Sequence, residues 1–269
     1  MIKNYFKTAF RNMMRNKTFS FINIAGLGLS MAVCLLLIMM IKDANQYDHF
    51  HPDSGRVYRI NTEALRKGGG KEPYASSPYT VGATLASNYT GVEEWTMFNS
   101  QLRGDIAAEE RKFSFTMHFT NTSFFKLFGF TLKEGNIATA LNEPNTIVLT
   151  KELSEKLFPG GSAIGKTADV KDVGLFKITG ILNKFPGKTH FEFDALASFA
   201  TVPSLEKNNR VIQTTNNWLN YYTNYTYIRL KPGVTPSQAE AALAEIAKKN
   251  YKGLPLETCL LYTSDAADE

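Results

Sequence analysis

The sequence predicts an α+β protein in which an N-terminal amphipathic helix and one transmembrane helix precede a two-lobed extracytoplasmic α+β domain. Three observations predict this fold. Residues 21–41 contain no charged residue. Residues 1–20 combine apolar residues at helical spacing with basic residues between them. After residue 42, segments typical of short strands and short helices follow one another without a strict βαβ order, which favours α+β over a parallel α/β sheet.

The composition indicates a folded protein with a basic N-terminus. The chain has 269 residues, of which 43% are hydrophobic, enough to bury a core and to exclude a disordered chain. The net charge is +5, and residues 1–20 carry five basic and no acidic residues. The remaining Lys and Arg residues balance the Asp and Glu residues. Because the excess lies beside an apolar segment, we expect a phospholipid membrane as its partner and no nucleic acid.

Residues 1–20 predict a cytoplasmic amphipathic helix. Its apolar stripe follows i, i+3, i+4, i+7 spacing and consists of Ile2, Tyr5, Phe6, Ala9, Phe10, Met13 and Met14. Its basic face consists of Lys3, Lys7, Arg11, Arg15 and Lys17. Such a helix lies at the membrane interface, with the stripe in the acyl boundary and the basic residues near anionic headgroups. The alternative is a basic flank that only sets the orientation of the span.

Residues 21–41 predict one transmembrane helix. At about 1.5 Å per residue, the segment spans about 30 Å of hydrocarbon. It is longer than the apolar core of a cleaved signal peptide, and MMIKDANQ offers no small-x-small cleavage site. Lys42 is followed by Asp43 and Asp48, whereas the five basic residues precede the span. The positive-inside rule therefore places the N-terminus in the cytoplasm and the residues after about 42 outside it.

A stripe of small residues runs along this span. Gly26, Ser30 and Cys34 repeat every four residues and share one helix face. Small residues let a second membrane helix approach closely, so the stripe predicts a helix-packing surface. Glycine is also common in membrane helices generally, which leaves ordinary composition as the alternative.

The remaining chain predicts short strands and helices. Thr235 and Gln238 form a capping box that opens a helix extending to about Lys249, and Ser77 is an N-cap before Pro78 at the first position of a helix over 78–89. Further helices are expected near 121–128 and 151–158, and RKGGGKEP is expected to be a loop. The predicted strands are VYRINT, EEWTMF, KFSFTMHF, TIVLT, LFKITGIL, FEFDALASF and NYTYIRL.

Residues 160–167, GGSAIGKT, match the phosphate-loop pattern G-x-x-x-x-G-K-[ST]. A phosphate loop needs a buried strand before it and a helix after it, so that backbone N–H groups and the helix N-terminus meet at the phosphate. Here TKELSEKLF predicts a preceding helix with Thr150 as its N-cap, and ADVKDVGLFKITGIL predicts strands after the motif. We therefore predict a glycine-rich turn and no nucleotide site.

Candidate metal ligands are few. His49 and His51 flank Phe50, so an extended segment would place both imidazoles on one side, with Asp48 and Asp53 nearby. A metal site needs more ligands than this pair guarantees, and the alternative is a solvated juxtamembrane linker.

Catalytic patterns are missing from the sequence. No G-x-S-x-G, H-E-x-x-H or C-x-x-C pattern occurs, and His118 and His190 are interpreted as isolated. We therefore predict no catalytic, cofactor-binding or metal-binding residues and expect a non-catalytic protein.

Four segments together carry a family resemblance. Residues 1–60, which open MIKNYFKTAFRNMMRNKTFSF, resemble the N-terminus of ABC-transporter permeases of the MacB/FtsX-like class, particularly those of Bacteroidota. FKLFGFTLKEGN, ALNEPNTIVLTKELSEKLFPGGSAIGKT and FKITGILNKFPGKTHFEFDALAS resemble the periplasmic core domain of that family. The similarity covers residues 1 to about 258.

This resemblance implies a mechanism and partners. In the family, a separate cytoplasmic ATPase dimer closes on ATP and moves the permease helices, and the periplasmic domain shifts as a lever. It implies an ABC ATPase subunit, a homodimer or pseudo-dimer of permeases, and periplasmic partner proteins, at the bacterial inner membrane. Members export molecules, extract lipoproteins or regulate cell-wall hydrolases, and the resemblance does not choose among them.

The end of the chain breaks the family pattern. Residues 259–269, CLLYTSDAADE, resemble the translation of a sequencing adapter. We therefore expect a periplasmic core domain over residues 42–258, a non-native tail over 259–269, and a chain that is the first part of a longer permease.

Two other functions compete with the permease. One is a single-span, membrane-anchored extracytoplasmic sensor or ligand-binding protein, although some twenty cytoplasmic residues can hardly hold a signalling domain. The other is a membrane-anchored enzyme, which the lack of any catalytic constellation disfavours.

Overall fold

The computed structural model describes residues 2–44, 46–48, 50–65, 70–185, 187–252 and 256–262. The chain divides into two compact units, Met1–Tyr47 and Asp48–Glu269. The first unit is helical, and the second combines helices with one large sheet. The predicted α+β class, with one apolar N-terminal helix before the mixed domain, is confirmed.

The first unit consists of α1 (Ile2–Arg15) and α2 (Lys17–Ala44). The two helices meet at Asn16, whose N–H donates to the carbonyl of Asn12 at 3.0 Å. α2 extends beyond the apolar stretch 21–41 at both ends and has no buried residue. By length and composition it can cross a membrane.

The described part of the second unit forms one 11-stranded sheet. Its strands are β1 (Val57–Leu65), β2 (Lys71–Tyr74), β3 (Val92–Ala108), β4 (Arg111–Thr120), β5 (Leu132–Gly135), β6 (Thr146–Leu149), β7 (Thr167–Val170), β8 (Gly174–Leu182), β9 (Ala195–Ser198), β10 (Asn224–Leu230) and β11 (Leu256–Tyr262).

The long strand β3 holds this sheet together. The strand order is β11-β1-β10-β3-β4-β9-β6-β8-β5, with β2 paired to β1 and β7 paired to both β3 and β8. β3 pairs with β10 through its first half and with β4 through its second half. β4 with β9 and β6 with β8 are parallel pairs. The two lobes expected from the sequence therefore share one sheet within one compact unit.

Five α-helices of the described second unit cover this sheet. They are α3 (Tyr79–Asn88), α4 (Ser123–Phe128), α5 (Lys151–Leu157), α6 (Val202–Lys207) and α7 (Pro236–Asn250), and short 3-10 turns lie at Ser54–Arg56 and Phe199–Thr201. At the start of α5, the Thr150 hydroxyl accepts a hydrogen bond from the Leu153 N–H. At the start of α7, the Gln238 side chain accepts one from the Thr235 N–H at 3.0 Å. Both predicted N-terminal caps are thus confirmed.

The core is built on both faces of the sheet. Alternate residues of β6 belong to different clusters: Ile147 and Leu149 pack with α5, whereas Val148 packs with the aromatic residues of α4. Central strands buried on both faces read as continuous apolar runs, and all four residues of β6 are buried. A third cluster places α3 and α7 against β1 and β10.

Several predicted element bounds differ from the structure. Pro78 itself is the N-cap residue of α3, and the buried hydroxyl of Ser77 has no hydrogen-bond partner, so the prediction that Ser77 caps this helix was wrong. β2 forms at the end of the segment expected to be a loop, because its residues pair with β1. Of FEFDALASF, residues Ala195–Ser198 form a strand. β11 pairs with β1 and includes residues 259–262 of the expected tail.

Burial of His118 on β4 should make folding stability depend on pH. Its side chain is stacked on Phe98 at 3.9 Å between ring centroids, and its Nε2 lies 3.2 Å from the carbonyl oxygen of Glu192. Burial lowers the pKa of His118 to about 4 and outweighs its backbone hydrogen bonds. The unfolded chain therefore binds more protons than the folded chain between about pH 6.5 and about pH 4. Stability is complete above this window and is lost as the pH falls through it.

We expect the free energy of unfolding to decrease by on the order of 3 kcal/mol between pH 7 and pH 4 through this residue. Because glutamine does not titrate, the free energy of unfolding of H118Q should decrease less over the same pH range. Urea unfolding of the detergent-solubilised chain, followed by the fluorescence of Trp95 and Trp218, measures both. Equal losses in the two proteins would contradict the assignment.

Candidate functional site

The predicted membrane-interface face lies on the first unit. Lys7, Arg11 and Arg15 belong to α1, Lys17 begins α2, and the side chain of Lys3 lies outside the described residues. The apolar stripe is exposed: Tyr5, Phe6 and Phe10 keep 74%, 76% and 62% of their accessible surface. Soluble surfaces rarely expose such a row of aromatic residues, so the stripe is suited to a lipid interface. The role of the basic face remains a prediction.

The predicted helix-packing stripe is open along α2. The Ser30 hydroxyl donates to the carbonyl oxygen of Gly26 at 2.8 Å, so that its polar group is satisfied inside the helix. A Cβ added at Gly26 would meet no atom within 4 Å, and Cys34 is exposed. Close approach of a second helix along this stripe remains a prediction.

The phosphate-loop match is a turn between a helix and a strand. α5 precedes residues 160–167 and β7 begins at Thr167, the reverse of the order that a phosphate loop needs. Gly165 has a positive φ of 79°, and its N–H donates to the carbonyl oxygen of Ile178 at 2.8 Å. The Lys166 N–H donates to the carbonyl oxygen of Ala163 at 3.1 Å. The prediction of a turn is therefore confirmed.

The lysine of this turn is also engaged within the fold. Its ammonium lies 3.3 Å from an oxygen of Glu109 and 4.5 Å from the centroid of the Phe158 ring. A phosphate-loop lysine must instead reach the phosphates of a bound nucleotide.

A cluster of ionisable side chains lies where the second unit begins. Nε2 of His51 lies 2.9 Å from Asp48 Oδ1, and Nδ1 of His190 lies 2.5 Å from Asp48 Oδ2. We call these three residues the ionisable cluster. The side chains of His51 and Asp48 are 8% and 10% exposed. One carboxylate therefore joins two imidazoles in a nearly buried setting.

Each imidazole also has a partner on its other nitrogen. Nδ1 of His51 lies 2.8 Å from the carbonyl oxygen of Phe128 at the end of α4. Nε2 of His190 lies 3.3 Å from the hydroxyl of Tyr227 on β10. The cluster thus links the segment after the first unit to α4, to β10 and to the loop before β9.

Aromatic rings and a glycine turn enclose this cluster. The ring of Phe50 packs edge-on against Phe130 at 5.6 Å between centroids, and that of His51 against Phe128 at 5.0 Å. Gly129 ends α4 with a φ of 75°, and a Cβ there would lie 2.8 Å from Pro52. A residue with a side chain at position 129 would therefore push this segment away from the fold.

The surroundings fix Asp48 as a carboxylate. Burial by itself raises the pKa of the Asp48 carboxyl, but hydrogen bonds from His190 and His51 outweigh it, and the pKa lies well below its usual range. Asp48 also has a φ of 59°, in the left-handed region that Asp and Asn tolerate better than most residues.

Sequence reasoning found part of this cluster. The proposed pairing of His49 with His51 cannot be compared, because His49 lies outside the described residues. Among described residues, no group of three or more His, Cys, Asp or Glu side chains has the geometry of a metal site. The interpretation of His190 as isolated was wrong, since it contacts Asp48. The spacing of Asp48 and His51 was a usable signal, whereas nothing local connects either residue to His190.

The family of the chain follows from its sequence. The sequence profile of the MacB-like periplasmic core domain matches residues 20–246. The chain therefore belongs to this family of ABC-transporter permeases. None of the curated proteins matches its sequence.

Solved structures support the same fold. A domain of a putative permease protein from Porphyromonas gingivalis is 21% identical, with a TM-score of 0.67 over 79% of this chain and 91% of that chain. The periplasmic region of MacB from Actinobacillus actinomycetemcomitans is 14% identical, with a TM-score of 0.54 over 79% and 91%. The extracellular domain of the noncanonic ABC-type transporter YknZ from Gram-positive bacteria is 12% identical, with a TM-score of 0.53 over 76% and 99%.

Replacing the central carboxylate should destabilise the protein. We expect D48N to lower the free energy of unfolding at neutral pH by about 2 kcal/mol, because the network loses its negative charge and an NH2 donor replaces one of its two acceptor oxygens. D53N is a matched control, since Asp53 also has a positive φ but its side chain is 56% exposed in a surface ion pair with Arg56.

The lowered pKa of Asp48 determines how the stabilisation by its carboxylate, which D48N removes, depends on pH. The stabilisation is present above about pH 4, where the unfolded carboxyl ionises, and is lost below it. Urea unfolding at neutral pH and at about pH 3 measures it, and equal losses in D48N and D53N would contradict a structural role for the cluster.

The turn at residues 160–167 should not bind nucleotide. We expect a fluorescent ATP analogue to show no saturable binding to the solubilised chain. The backbone N–H groups of Gly165 and Lys166 already donate to carbonyl oxygens of the fold, and the Lys166 ammonium pairs with Glu109. K166A should cost less than about 1 kcal/mol of stability, since its ion pair is at the surface. Saturable binding that K166A abolishes would overturn this interpretation.

Proposed function

We propose that this chain is a membrane subunit of an ABC transporter of the mechanotransmission class. In this proposal a separate cytoplasmic ATPase subunit hydrolyses ATP, and the permease transmits the resulting movement to its periplasmic domain for export or extraction. The chain itself is non-catalytic and carries no cofactor. The observation that carries the proposal is the family match over residues 20–246, which begins inside a helix long enough to cross a membrane.

The first unit supports the membrane placement. We propose that α1 lies on the cytoplasmic face, with its exposed aromatic stripe in the acyl boundary and Lys7, Arg11 and Arg15 at anionic headgroups. α2 then crosses the inner membrane, and residues after about 42 are periplasmic, in agreement with the positive-inside rule. On this proposal the core domain covers residues 42–258 and the tail 259–269 is not native.

The partners of this subunit follow from the same assignment. The proposed ATPase subunit supplies the energy, and a second permease packs along the small-residue stripe of Gly26, Ser30 and Cys34 to form a dimer or pseudo-dimer. Periplasmic partner proteins complete the assembly. Nucleic acid is not a partner, because the basic residues in excess lie beside the span.

The orientation can be measured with single cysteines. In a chain carrying C34S and C259S, we expect a membrane-impermeant maleimide to label S87C in spheroplasts and to label T8C after lysis, because the positive charges precede the span. Both positions are exposed in the structure, so accessibility to the reagent is matched. Labelling of T8C in intact spheroplasts would contradict the orientation.

The coupling role needs a separate experiment. Sequencing the source DNA past the codon for Thr258 should reveal a frame that continues into further apolar spans, and the complete permease should co-purify with an ABC ATPase encoded nearby. ATPase activity of that complex should depend on the permease. A natural stop after residue 269, with no ATPase bound, would favour a single-span sensor or ligand-binding protein.

A further inference from the structure

Three buried hydroxyl groups lie without a hydrogen-bond partner in the described chain where α3 meets the sheet. They belong to Thr62 of β1, Ser77 just before α3 and Thr226 of β10. Each of these residues is fully buried, with 0% of its surface accessible. A buried hydroxyl that makes no hydrogen bond is destabilising, so native proteins rarely keep one. Three of them at one place therefore indicate a shared partner.

Strand pairing brings the two threonines together. β1 and β10 are antiparallel, and Ile60 of β1 is paired with Thr226. Thr62 follows two residues later, so it projects from the same face of the sheet and is the diagonal neighbour of Thr226. Diagonal neighbours lie about 7 Å apart along the sheet. This separation exceeds one hydrogen bond, at about 2.8 Å, and suits two hydrogen bonds in series through a small molecule.

The chain that enters α3 brings the third hydroxyl to the same place. Thr62 is paired with Tyr74, the last residue of β2, and Ser77 follows three residues later. The N–H of Ser77 donates to the carbonyl oxygen of Asn224 at 2.9 Å, two residues before Thr226. Ser77 is therefore held between the end of β2 and the start of β10, beside the two threonines.

α3 covers these residues and shields them from solvent. A Cβ added at Gly82 would lie 2.4 Å from Cγ2 of Thr226, so the helix approaches β10 as closely as a glycine allows. Val81 and Leu85 of the same helix are fully buried in the cluster that joins α3 to β1 and β10. Bulk water therefore does not reach the three hydroxyls.

The first turn of α3 adds polar groups at this end. The N-cap residue Pro78 makes no side-chain capping hydrogen bond, and the first N–H groups of a helix lack partners within it. Thr80, in that turn, has a further buried hydroxyl without a partner in the described chain. Backbone N–H groups can only donate, whereas hydroxyls can both donate and accept.

We propose that this place is an internal water site, in which at least one ordered water molecule bridges the hydroxyls of Thr62, Ser77 and Thr226. Water donates and accepts, and a buried water makes about three hydrogen bonds, so it matches a set of hydroxyls. An ion does not match, because these side chains are all neutral and a buried charge needs a compensating one. The water joins the start of α3 to two strands of the sheet.

Isosteric substitutions test the bridge. Valine replaces the threonine hydroxyl by a methyl group of similar size, so it removes the hydrogen bond and leaves the packing. We expect T62V and T226V each to raise the unfolding equilibrium constant of the complete chain about fivefold, because the water loses one of its partners. Urea unfolding in detergent micelles, followed by tryptophan fluorescence, measures it. If the hydroxyls were unsatisfied, valine would stabilise the protein, and stabilisation by both variants would overturn the proposal.

The double variant distinguishes one shared partner from two separate ones. Once the first substitution has disrupted the site, the second should raise the unfolding constant further by less than about twofold. T179V is the matched control, since the Thr179 hydroxyl donates directly to the carbonyl oxygen of Ala140 at 2.6 Å. Its effect should add fully to that of T226V. Full additivity between T62V and T226V would overturn the shared site.

Magnetisation transfer from water detects the bound molecule itself. In the complete chain, held in detergent micelles and labelled at the threonine methyl groups, T62V, T226V and T179V assign the three signals. We expect the methyl groups of Thr62 and Thr226 to show cross-peaks with water of the sign that a long-lived bound molecule gives. If a variant does not fold, the cross-peaks of the unmodified chain, assigned through the remaining variants, decide alone. Cross-peaks missing from both methyl groups would overturn the proposal.

Discussion

A buried carboxylate has to be hydrogen bonded, and the start of the second unit is arranged around this constraint. Asp48 is nearly buried and accepts hydrogen bonds from His51 and His190. His51 in turn reaches the end of α4, and His190 reaches β10 through Tyr227. A single ionised group therefore fixes the first residues of the unit to two separate parts of the fold. Its hydrogen bonds hold that carboxyl ionised despite its burial.

The sheet makes these contacts possible because it is buried on both faces. In the sheet, β3 lies between β10 and β4. One face of the sheet carries α5, and the opposite face carries the aromatic cluster around α4. The phenylalanines of that cluster enclose the imidazole of His51 and exclude water from its hydrogen bonds. The polar cluster thus depends on the apolar one for its strength.

The chain belongs to the family of the MacB-like periplasmic core domain, and its two units differ in character. The first unit offers an exposed apolar helix, and the second offers a continuous sheet with a core on each face. The segment between α2 and the sheet contributes Asp48 and His51 to the ionisable cluster, and the loop before β9 contributes His190.

The sequence by itself determined the features that depend on neighbours along the chain. The charge-free stretch 21–41, the basic spacing of α1, the strand-like segment NYTYIRL and the caps at Thr150 and Thr235 are local patterns, and the corresponding elements formed. Tertiary structure decided what depends on distant residues. β2 gains its partner from β1, Ser77 loses its capping role because Pro78 occupies the cap position, and His190 meets Asp48. Such pairings depend on chain crossovers that bring remote segments together, so no local periodicity in the sequence predicts them.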